Sequence, residues 1–171
     1  MTDNRHLYDY NYYHLSRNFQ TKPERTLKLF ESIMVYNPKS LLDVGCGLGS
    51  VVNKLRYEGI EAYGIDFAEV LKTIWNKPYF TVGDARTLPY PNDAFDIVFS
   101  SDFFEHIDEE DIDRVAKEMK RVGKKVITFV ADDLGRELND KQKEVHVTHK
   151  PLDWWNEKLE GVIVFSSHLN E

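Results

Sequence analysis

The residues with the clearest chemical meaning form a glycine-rich turn, Asp43–Gly49, with the sequence DVGCGLG. The turn follows an apolar segment that predicts a buried strand, and it precedes a pattern that predicts a helix. Because Gly45, Gly47 and Gly49 have no Cβ, the chain can adopt positive φ here or let a ligand approach the backbone closely. The helix start behind the turn adds unpaired N–H groups and the positive end of a dipole. The turn is therefore predicted to bind a ligand.

Acidic residues follow the next two predicted strands. Asp66 ends the segment YGID, about 20 positions after the glycine turn, where a carboxylate can accept hydrogen bonds from ribose hydroxyls. It could equally cap the helix that follows, and the two roles are compatible. Asp84 follows the third strand and could accept from the exocyclic amine of adenine, with Ala85 leaving space beside the ring. The alternative for Asp84 is a turn-forming residue.

A third group of polar side chains lies beyond the fourth predicted strand, in the segment SSDFFEHI at 100–107. His106 is predicted to act as a catalytic base, because an imidazole titrates near neutral pH and can take a proton from a hydroxyl. Glu105 is assigned to the same catalytic group. The alternative is that His106 caps or packs against the next helix.

The elements that must position these residues alternate between strand and helix. Strands are predicted at Ser40–Cys46, Glu61–Asp66, Tyr79–Gly83, Phe95–Ser100, Lys125–Val130 and Val162–Ser166. Helices are predicted at Pro23–Tyr36, Ser50–Glu58, Ala68–Trp75, Glu109–Val122 and Leu152–Leu159. This order predicts an α/β fold, a three-layer α/β/α sandwich around a mostly parallel sheet of six or seven strands. Ligand-binding loops are expected at the carboxyl ends of the strands.

Length and composition restrict the class of protein. The 171 residues fit a single domain, 1–171, with a tyrosine-rich segment at 1–22 that could cover an active site and a core at 23–171. The formal net charge of −7 disfavours a nucleic-acid partner. No apolar run reaches the length of a membrane span, and no signal-peptide core is present. With Cys46 as the single cysteine, no intramolecular disulfide can form, and we expect a cytoplasmic protein.

Taken in order, the segments LLDVGCGLGS, YGID, VGDA and FDIVFSSDFFEHI resemble the class I, Rossmann-like methyltransferase family. The resemblance runs from about Leu41 to about Val130 and implies that S-adenosylmethionine is the cofactor. It places the glycine turn around the amino-acid part of that cofactor, Asp66 at the ribose, Asp84 at the adenine, and Ser101 with Phe103 near the sulfonium. The full predicted cofactor-binding set is Asp43, Gly45, Cys46, Gly47, Gly49, Asp66, Phe67, Asp84, Ala85, Ser101 and Phe103.

The sequence departs from that family in two respects. Many members continue after the fifth strand with a helix and a β-hairpin, so the C-terminal end is either shortened or supplies a short strand near Glu144–Thr148. The spacing of Asp102, Glu105 and His106 resembles the metal motif of some quinone and RNA-terminus methyltransferases, with His146 or His149 as a later ligand and Mg²⁺ as one ion. Because that motif usually begins with Glu, a metal-free site is predicted, with a divalent metal as the alternative.

The resemblance implies methyl transfer from S-adenosylmethionine to an oxygen or nitrogen of a small molecule, with a sugar or an aromatic metabolite favoured. The partners expected are this acceptor, no nucleic acid and no membrane. One alternative is a non-catalytic S-adenosylmethionine-binding or scaffolding protein on the same fold. Another is a nicotinamide-dependent enzyme on a related fold. The dinucleotide-binding loop of such enzymes has the pattern G-x-G-x-x-G, which differs from the G-x-G-x-G spacing of this chain.

Overall fold

The computed structural model describes residues 23–73, 76–132 and 145–167, so the predicted tyrosine-rich cover at 1–22 lies outside the described residues. The strands are β1 Ser40–Val44, β2 Glu61–Asp66, β3 Phe80–Val82, β4 Ile97–Ser101, β5 Val126–Val130 and β6 Ile163–Ser166. The α-helices are α1 Pro23–Met34, α2 Ser50–Tyr57, α3 Ile112–Val122 and α4 Leu152–Lys158. Short 3₁₀ helices span Glu69–Thr73 and Phe104–His106. No helix among the described ranges is long and apolar enough to span a bilayer.

The six strands form one sheet in the order β3-β2-β1-β4-β5-β6, and every neighbouring pair is parallel. This confirms the predicted α/β architecture. The strand order reverses between β1 and β4, which pair directly through Leu41–Asp43 and Ile97–Phe99. In open parallel sheets such a reversal opens a crevice at the carboxyl ends of the two strands, where ligands bind. The glycine turn follows β1 and the segment 102–107 follows β4, so both border this crevice.

The two faces of the sheet are covered by different helices, because each helix has one apolar stripe. Leu29 and Ile33 of α1 pack with Val52 and Leu55 of α2 on one face. On the other face, the predicted stripe of α3 is buried as a whole, and it packs with Trp155 of α4. That stripe consists of Ile112, Val115, Ala116, Met119 and Val122. Burial of each large aliphatic side chain contributes roughly 1.5–3 kcal/mol, so these stripes determine which face each helix covers.

Two predicted helices differ in the structure. The helix predicted at Glu109–Val122 begins only at Ile112, because residues 108–111 form a turn in which the N–H of Asp111 donates to the carbonyl oxygen of Asp108 at 2.8 Å. The carboxylate of Asp111 bonds Arg86 and does not cap the helix. The segment predicted as an α-helix at 68–75 is a 3₁₀ helix over its described part, Glu69–Thr73. The other ends shift by one or two residues, within the usual fraying of termini.

The C-terminal part of the sheet also differs from one of the alternatives considered above. Residues 146–148 form no strand, and β6 pairs directly with β5 in parallel. The backbone N–H groups of Val147 and Thr148 donate to the carbonyl oxygen of Glu105, at 2.8 and 3.1 Å, so they are unavailable to the sheet. The segment therefore packs against the 3₁₀ helix after β4.

An ion pair on α3 holds the loop between β3 and β4. Glu118 accepts the N–H of Leu88 at 2.9 Å and Nε of Arg121 at 2.8 Å. Arg121 also donates to the carbonyl oxygens of Leu88 and Tyr90, at 2.9 and 2.8 Å. The Arg121 guanidinium lowers the pKa of Glu118 to about 2. The ionised carboxylate therefore stabilises the folded state.

We expect Glu118→Gln to lower the free energy of unfolding by about 1.5 kcal/mol at pH 7, since a charge-assisted hydrogen bond is lost. Because the folded-state pKa is depressed, the wild-type advantage is complete above the unfolded pKa and is lost as the pH falls toward about 2. Urea unfolding at pH 7 and pH 3.5 measures this as a smaller difference at the lower pH. Glu157→Gln, at an exposed position on α4, is the control. An equal effect of both substitutions would contradict the assignment.

Candidate cofactor and active site

The glycine turn has the backbone conformation that its sequence predicts. Gly45, Gly47 and Gly49 have φ values of 73°, 51° and 76°, in the left-handed region that side chains with a Cβ rarely adopt. The N–H groups of Gly45 and Cys46 both donate to the carbonyl oxygen of Ile65, at 2.8 and 3.2 Å. These bonds fix the turn against the end of β2, and α2 begins directly after it.

Two of these glycines also permit close approach, and the approaching groups are aromatic rings of this chain. A Cβ at Gly45 would lie 2.4 Å from Cδ2 of Phe103, and a Cβ at Gly49 would lie 2.3 Å from Cζ of Phe80. Phe103 follows β4, so its ring joins the glycine turn to the segment that carries Glu105 and His106. The sequence predicted approach by a ligand at these positions. The structure adds packing by Phe103 and Phe80.

Asp66 lies at the end of β2 and is 7% exposed. Its Oδ2 accepts the N–H of Gly47 at 3.0 Å, and its Oδ1 accepts the N–H of Ala68 at 3.1 Å. Asp66 therefore closes the turn that leads to the 3₁₀ helix Glu69–Thr73 and bonds the glycine turn, but it is not the N-cap of that helix, because the N-cap position is Ala68. A carboxylate oxygen has two lone pairs, so acceptance from ribose hydroxyls remains compatible with these bonds. Phe67, half-buried, follows it directly.

Asp43 lies near an arginine, Arg25, and only the first of these two residues was predicted from the sequence. Burial raises the pKa of Asp43 well above its ordinary value, the nearby Asp66 carboxylate raises it further, and Arg25 lowers it. Arg25 of α1 donates to Oγ of Ser101 at 2.6 Å and forms an ion pair with Asp102. A signal was present in the sequence, because Arg25 has the same helical spacing as Leu29 and Ile33, which are buried.

Asp84 is exposed and bound to a second arginine that was not predicted. Its two carboxylate oxygens accept Nε of Arg86 at 3.0 Å, and Oδ2 also accepts Nη2 at 2.7 Å. These bonds lower the pKa of Asp84. Arg86 extends to Asp111 at 3.0 Å, so the predicted adenine-binding turn is fixed to the start of α3. Ala85, half-buried, packs against the core beside it.

Glu105 and His106 lie in the 3₁₀ helix after β4, and Glu105 is fully buried. Nδ1 of His106 is 2.9 Å from the carbonyl oxygen of Val145. A carbonyl oxygen only accepts, so Nδ1 carries the proton and the lone pair of the neutral ring is on Nε2. This contact fixes the ring and determines which nitrogen can react.

The structure assembles part of the set of metal ligands that the spacing suggested. Ligand atoms of Glu105, His106 and His146 all lie within 4.8 Å of one another. Asp102 is not part of this group, because its carboxylate pairs with Arg25. His149 is exposed, and its ring centroid is 6.1 Å from that of His146. Of the two later histidines considered, His146 is therefore the one that joins the cluster.

Comparison with known sequences identifies the family. Residues 42–130 match the sequence profile of a family that is described as a methyltransferase domain. The matched range includes the glycine turn, Asp66, Asp84 and the segment after β4. The chain belongs to the methyltransferase domain family. The fold and the matched segment agree with the class I, Rossmann-like architecture of methyltransferases.

Individual relatives agree with this placement. The chain is 36% identical to ajmaline N-methyltransferase from Rauvolfia serpentina over 107 residues, covering 54% of this chain and 35% of that protein. It is 31% identical to a malonyl-[acyl-carrier protein] O-methyltransferase from Halorhodospira halophila over 108 residues, covering 58% of this chain and 36% of that protein. The chain thus spans about a third of the length of these relatives.

Solved structures share the fold. A SAM-dependent methyltransferase from Archaeoglobus fulgidus superposes with a TM-score of 0.73 at 22% identity, covering 89% of this chain and 73% of that chain. A protein from Pyrococcus horikoshii OT3 superposes with a TM-score of 0.62 at 27% identity, covering 75% and 70%. These matches confirm the predicted sandwich.

Proposed function

We propose that the chain binds S-adenosylmethionine at the crevice between β1 and β4 and transfers its methyl group to an oxygen or nitrogen of a small molecule. The observation that carries this proposal is the left-handed glycine turn at the strand-order reversal, tied by Gly47 to Asp66. The names of the two relatives, an N-methyltransferase and an O-methyltransferase, support both acceptor atoms. Among small molecules we favour a sugar or an aromatic metabolite.

The residues at the crevice fit this cofactor chemically. Asp43 and Asp66 are both buried at the ends of neighbouring strands, which suits a ligand with a cationic amino group and ribose hydroxyls. We propose that Asp43 holds the amino group, because a buried carboxylate gains most from a positive partner. Asp66 with Phe67 would hold the ribose, and Asp84 with Ala85 the adenine. Cys46, Ser101 and Phe103 complete the proposed lining.

When bound, the sulfonium supplies an activated methyl group, so the protein mainly aligns the reactants and excludes water. We propose that Glu105 and His106 act on the acceptor. In the metal-free protein, Nε2 of His106 would take the proton from a hydroxyl, with Nδ1 held by the carbonyl of Val145. Glu105, fully buried beside it, would stabilise the positive ring.

The setting of the protein is part of the same proposal. Burial raises the pKa of the Cys46 thiol well above its ordinary value, so the single cysteine stays protonated and unreactive. Because a single cysteine cannot form an intramolecular disulfide, the sequence suits a reducing compartment, and we propose a cytoplasmic location. The net charge of −7 supports a small-molecule acceptor over a nucleic-acid or anionic membrane partner.

Binding of S-adenosylhomocysteine, the demethylated product, is expected to strengthen as the pH rises. The pKa of Asp43 is raised by burial, so below that pKa the ligand's ammonium group must displace a proton from the carboxyl group. Calorimetry over a series from pH 5 upward measures the change in affinity, and buffers of different ionisation enthalpy measure the protons released. Asp43→Asn should remove both effects.

Asp84→Asn is the matched control for this dependence, because Arg86 lowers the pKa of Asp84 and keeps it ionised throughout that range. The pH dependence should persist in this variant. An unchanged pH dependence in Asp43→Asn would contradict the assignment of Asp43 to the amino group.

Methyl transfer itself is tested with methyl-labelled S-adenosylmethionine and a panel of sugars, phenols and amines. The expected result is acceptor-dependent formation of S-adenosylhomocysteine together with a labelled product. Cofactor binding without transfer to any acceptor class, while a known methyltransferase reacts in the same panel, would favour the alternative of a non-catalytic binding protein.

A further inference from the structure

We propose that Glu105, His106 and His146 form a binding site for one divalent transition-metal ion, with Zn²⁺ as the best fit. Their ligand atoms lie within 4.8 Å of one another. Three ligands on one tetrahedral Zn²⁺ lie about 3.4 Å apart, as follows from metal–ligand distances near 2.1 Å. The ligand atoms would therefore have to approach one another by at most about 1.4 Å, within reach of ring rotation and side-chain adjustment, to complete the site.

The two segments that carry these ligands are held together by four hydrogen bonds. Two backbone N–H groups of the 145–149 segment donate to the carbonyl oxygen of Glu105, at 2.8 and 3.1 Å. Oγ1 of Thr148 donates to the carbonyl oxygen of Ile107 at 2.8 Å, and Nδ1 of His106 donates to that of Val145 at 2.9 Å. His146 is therefore held beside the 3₁₀ helix, with its ring centroid 4.8 Å from that of His106.

The hydrogen bond at Nδ1 also orients His106 for a metal. Histidines that bind metals usually donate their other ring N–H to a carboxylate or a backbone carbonyl, which fixes the tautomer and leaves the opposite nitrogen for the ion. The bond from His106 to Val145 is of this kind, and it leaves Nε2 as the ligand atom. Glu105 is fully buried, where the charge of a carboxylate is best balanced by a nearby cation.

The donor set determines the class of ion. Two imidazole nitrogens and one carboxylate oxygen suit Zn²⁺ and its first-row neighbours, whereas Mg²⁺ and Ca²⁺ prefer sites built from oxygen. This replaces the Mg²⁺ considered from the sequence. Three protein ligands leave a fourth position open, as in catalytic zinc sites. Asp102 does not fill this position, because it pairs with Arg25.

Binding of the ion does not depend on the proposed function. Its consequence for catalysis does rest on that function. Coordination uses the lone pair of Nε2, so in the metal-bound protein His106 is a ligand and cannot act as a base. The ion would polarise an acceptor oxygen at its open position and so make the oxygen easier to deprotonate. The 3₁₀ helix follows Phe103, whose ring packs against Gly45, so the ion would lie next to the proposed cofactor crevice.

The proposal is tested by calorimetric titration of the chelator-treated full chain with Zn²⁺, with Mg²⁺ as the comparator. We expect one Zn²⁺ per chain, weaker binding of Mg²⁺, and a loss of at least about 10–100-fold in Zn²⁺ affinity for His146→Gln. His149→Gln is the matched control, because this exposed histidine is outside the cluster, and it should bind as the wild type does. Substitution by Co²⁺ should give visible absorption bands that His146→Gln abolishes.

Two outcomes would overturn the proposal. One is that the folded wild type binds no stoichiometric Zn²⁺. The other is that His149→Gln lowers the Zn²⁺ affinity as much as His146→Gln does. Binding of S-adenosylhomocysteine is measured on the same samples and is expected to survive His146→Gln. If the wild type binds no S-adenosylhomocysteine, the result counts against the proposed function and not against the metal site. The two proposals can therefore fail independently.

Discussion

Asp66→Ala is expected to weaken binding of S-adenosylhomocysteine at least about 100-fold. Removal of the carboxylate eliminates the acceptor for the N–H groups of Gly47 and Ala68, at 3.0 and 3.1 Å, and the proposed partner of the ribose hydroxyls. Each charge-assisted hydrogen bond contributes about 1.5–3 kcal/mol, and a factor of 100 corresponds to about 2.7 kcal/mol. Calorimetric titration of the two proteins measures the loss.

Two comparisons separate the ribose role from a structural one. Asp153→Ala removes an exposed carboxylate on α4 and should leave binding unchanged. Thermal unfolding of Asp66→Ala without ligand shows whether the variant is folded at the temperature of the titration. A folded Asp66→Ala protein with wild-type affinity would show that Asp66 only bonds the backbone of the two turns, and would contradict its place in the cofactor site.

Gly45→Ala is expected to abolish detectable binding of S-adenosylhomocysteine and to lower the free energy of unfolding by about 3 kcal/mol. Part of this cost is the positive φ of 73°, which disfavours residues with a Cβ by about 1–2 kcal/mol. The rest comes from the ring of Phe103, 2.4 Å from the position of the new Cβ, since overpacking typically costs about 1–3 kcal/mol. Urea unfolding and calorimetry measure the two effects separately.

Gly59→Ala is the matched control for this substitution. Gly59 has a similar φ of 84°, but no atom lies within 4 Å of an added Cβ. It should therefore cost only the backbone strain, about 1 kcal/mol, and leave binding intact. Equal destabilisation by the two substitutions would show that the contact with Phe103 contributes nothing to the cost, and unchanged binding by Gly45→Ala would contradict the proposed role of the glycine turn in cofactor binding.

The features that the sequence predicted well depend on local patterns. The glycine turn needs positive φ at fixed spacing, and the stripe of α3 repeats with helical period, so both are visible without knowledge of the fold. The position of Asp66 at the end of β2 was predictable from the segment that precedes it, and its role at the ribose stays a prediction. The strand β2, Glu61–Asp66, was predicted with its observed bounds.

The features that sequence reasoning missed depend on contacts between distant segments. Arg25 meets Ser101 and Asp102 only after α1 packs on the sheet, and Arg86 joins Asp84, in the β3–β4 connection, to Asp111 at the start of α3. Competition for these charges also explains why Asp102 is absent from the histidine cluster. No local pattern shows which of several carboxylates each arginine will bind.

The choice between His146 and His149 illustrates the same limit. The spacing in the sequence allowed either residue, since both follow β5. The hydrogen bonds of Val147 and Thr148 to Glu105 fix the register of this segment and direct His146 to the 3₁₀ helix. Backbone register in an irregular segment is determined by tertiary contacts, for which composition and periodicity give no signal.

Calorimetric titration of the full chain with S-adenosylhomocysteine tests most directly whether the crevice binds S-adenosylmethionine. NAD serves as the comparator, because a related fold binds nicotinamide cofactors at the same edge of the sheet. We expect saturable binding of one S-adenosylhomocysteine per chain and much weaker binding of NAD. No binding of S-adenosylhomocysteine by a folded sample, or tighter binding of NAD, would contradict the cofactor assignment and leave the fold without its proposed ligand.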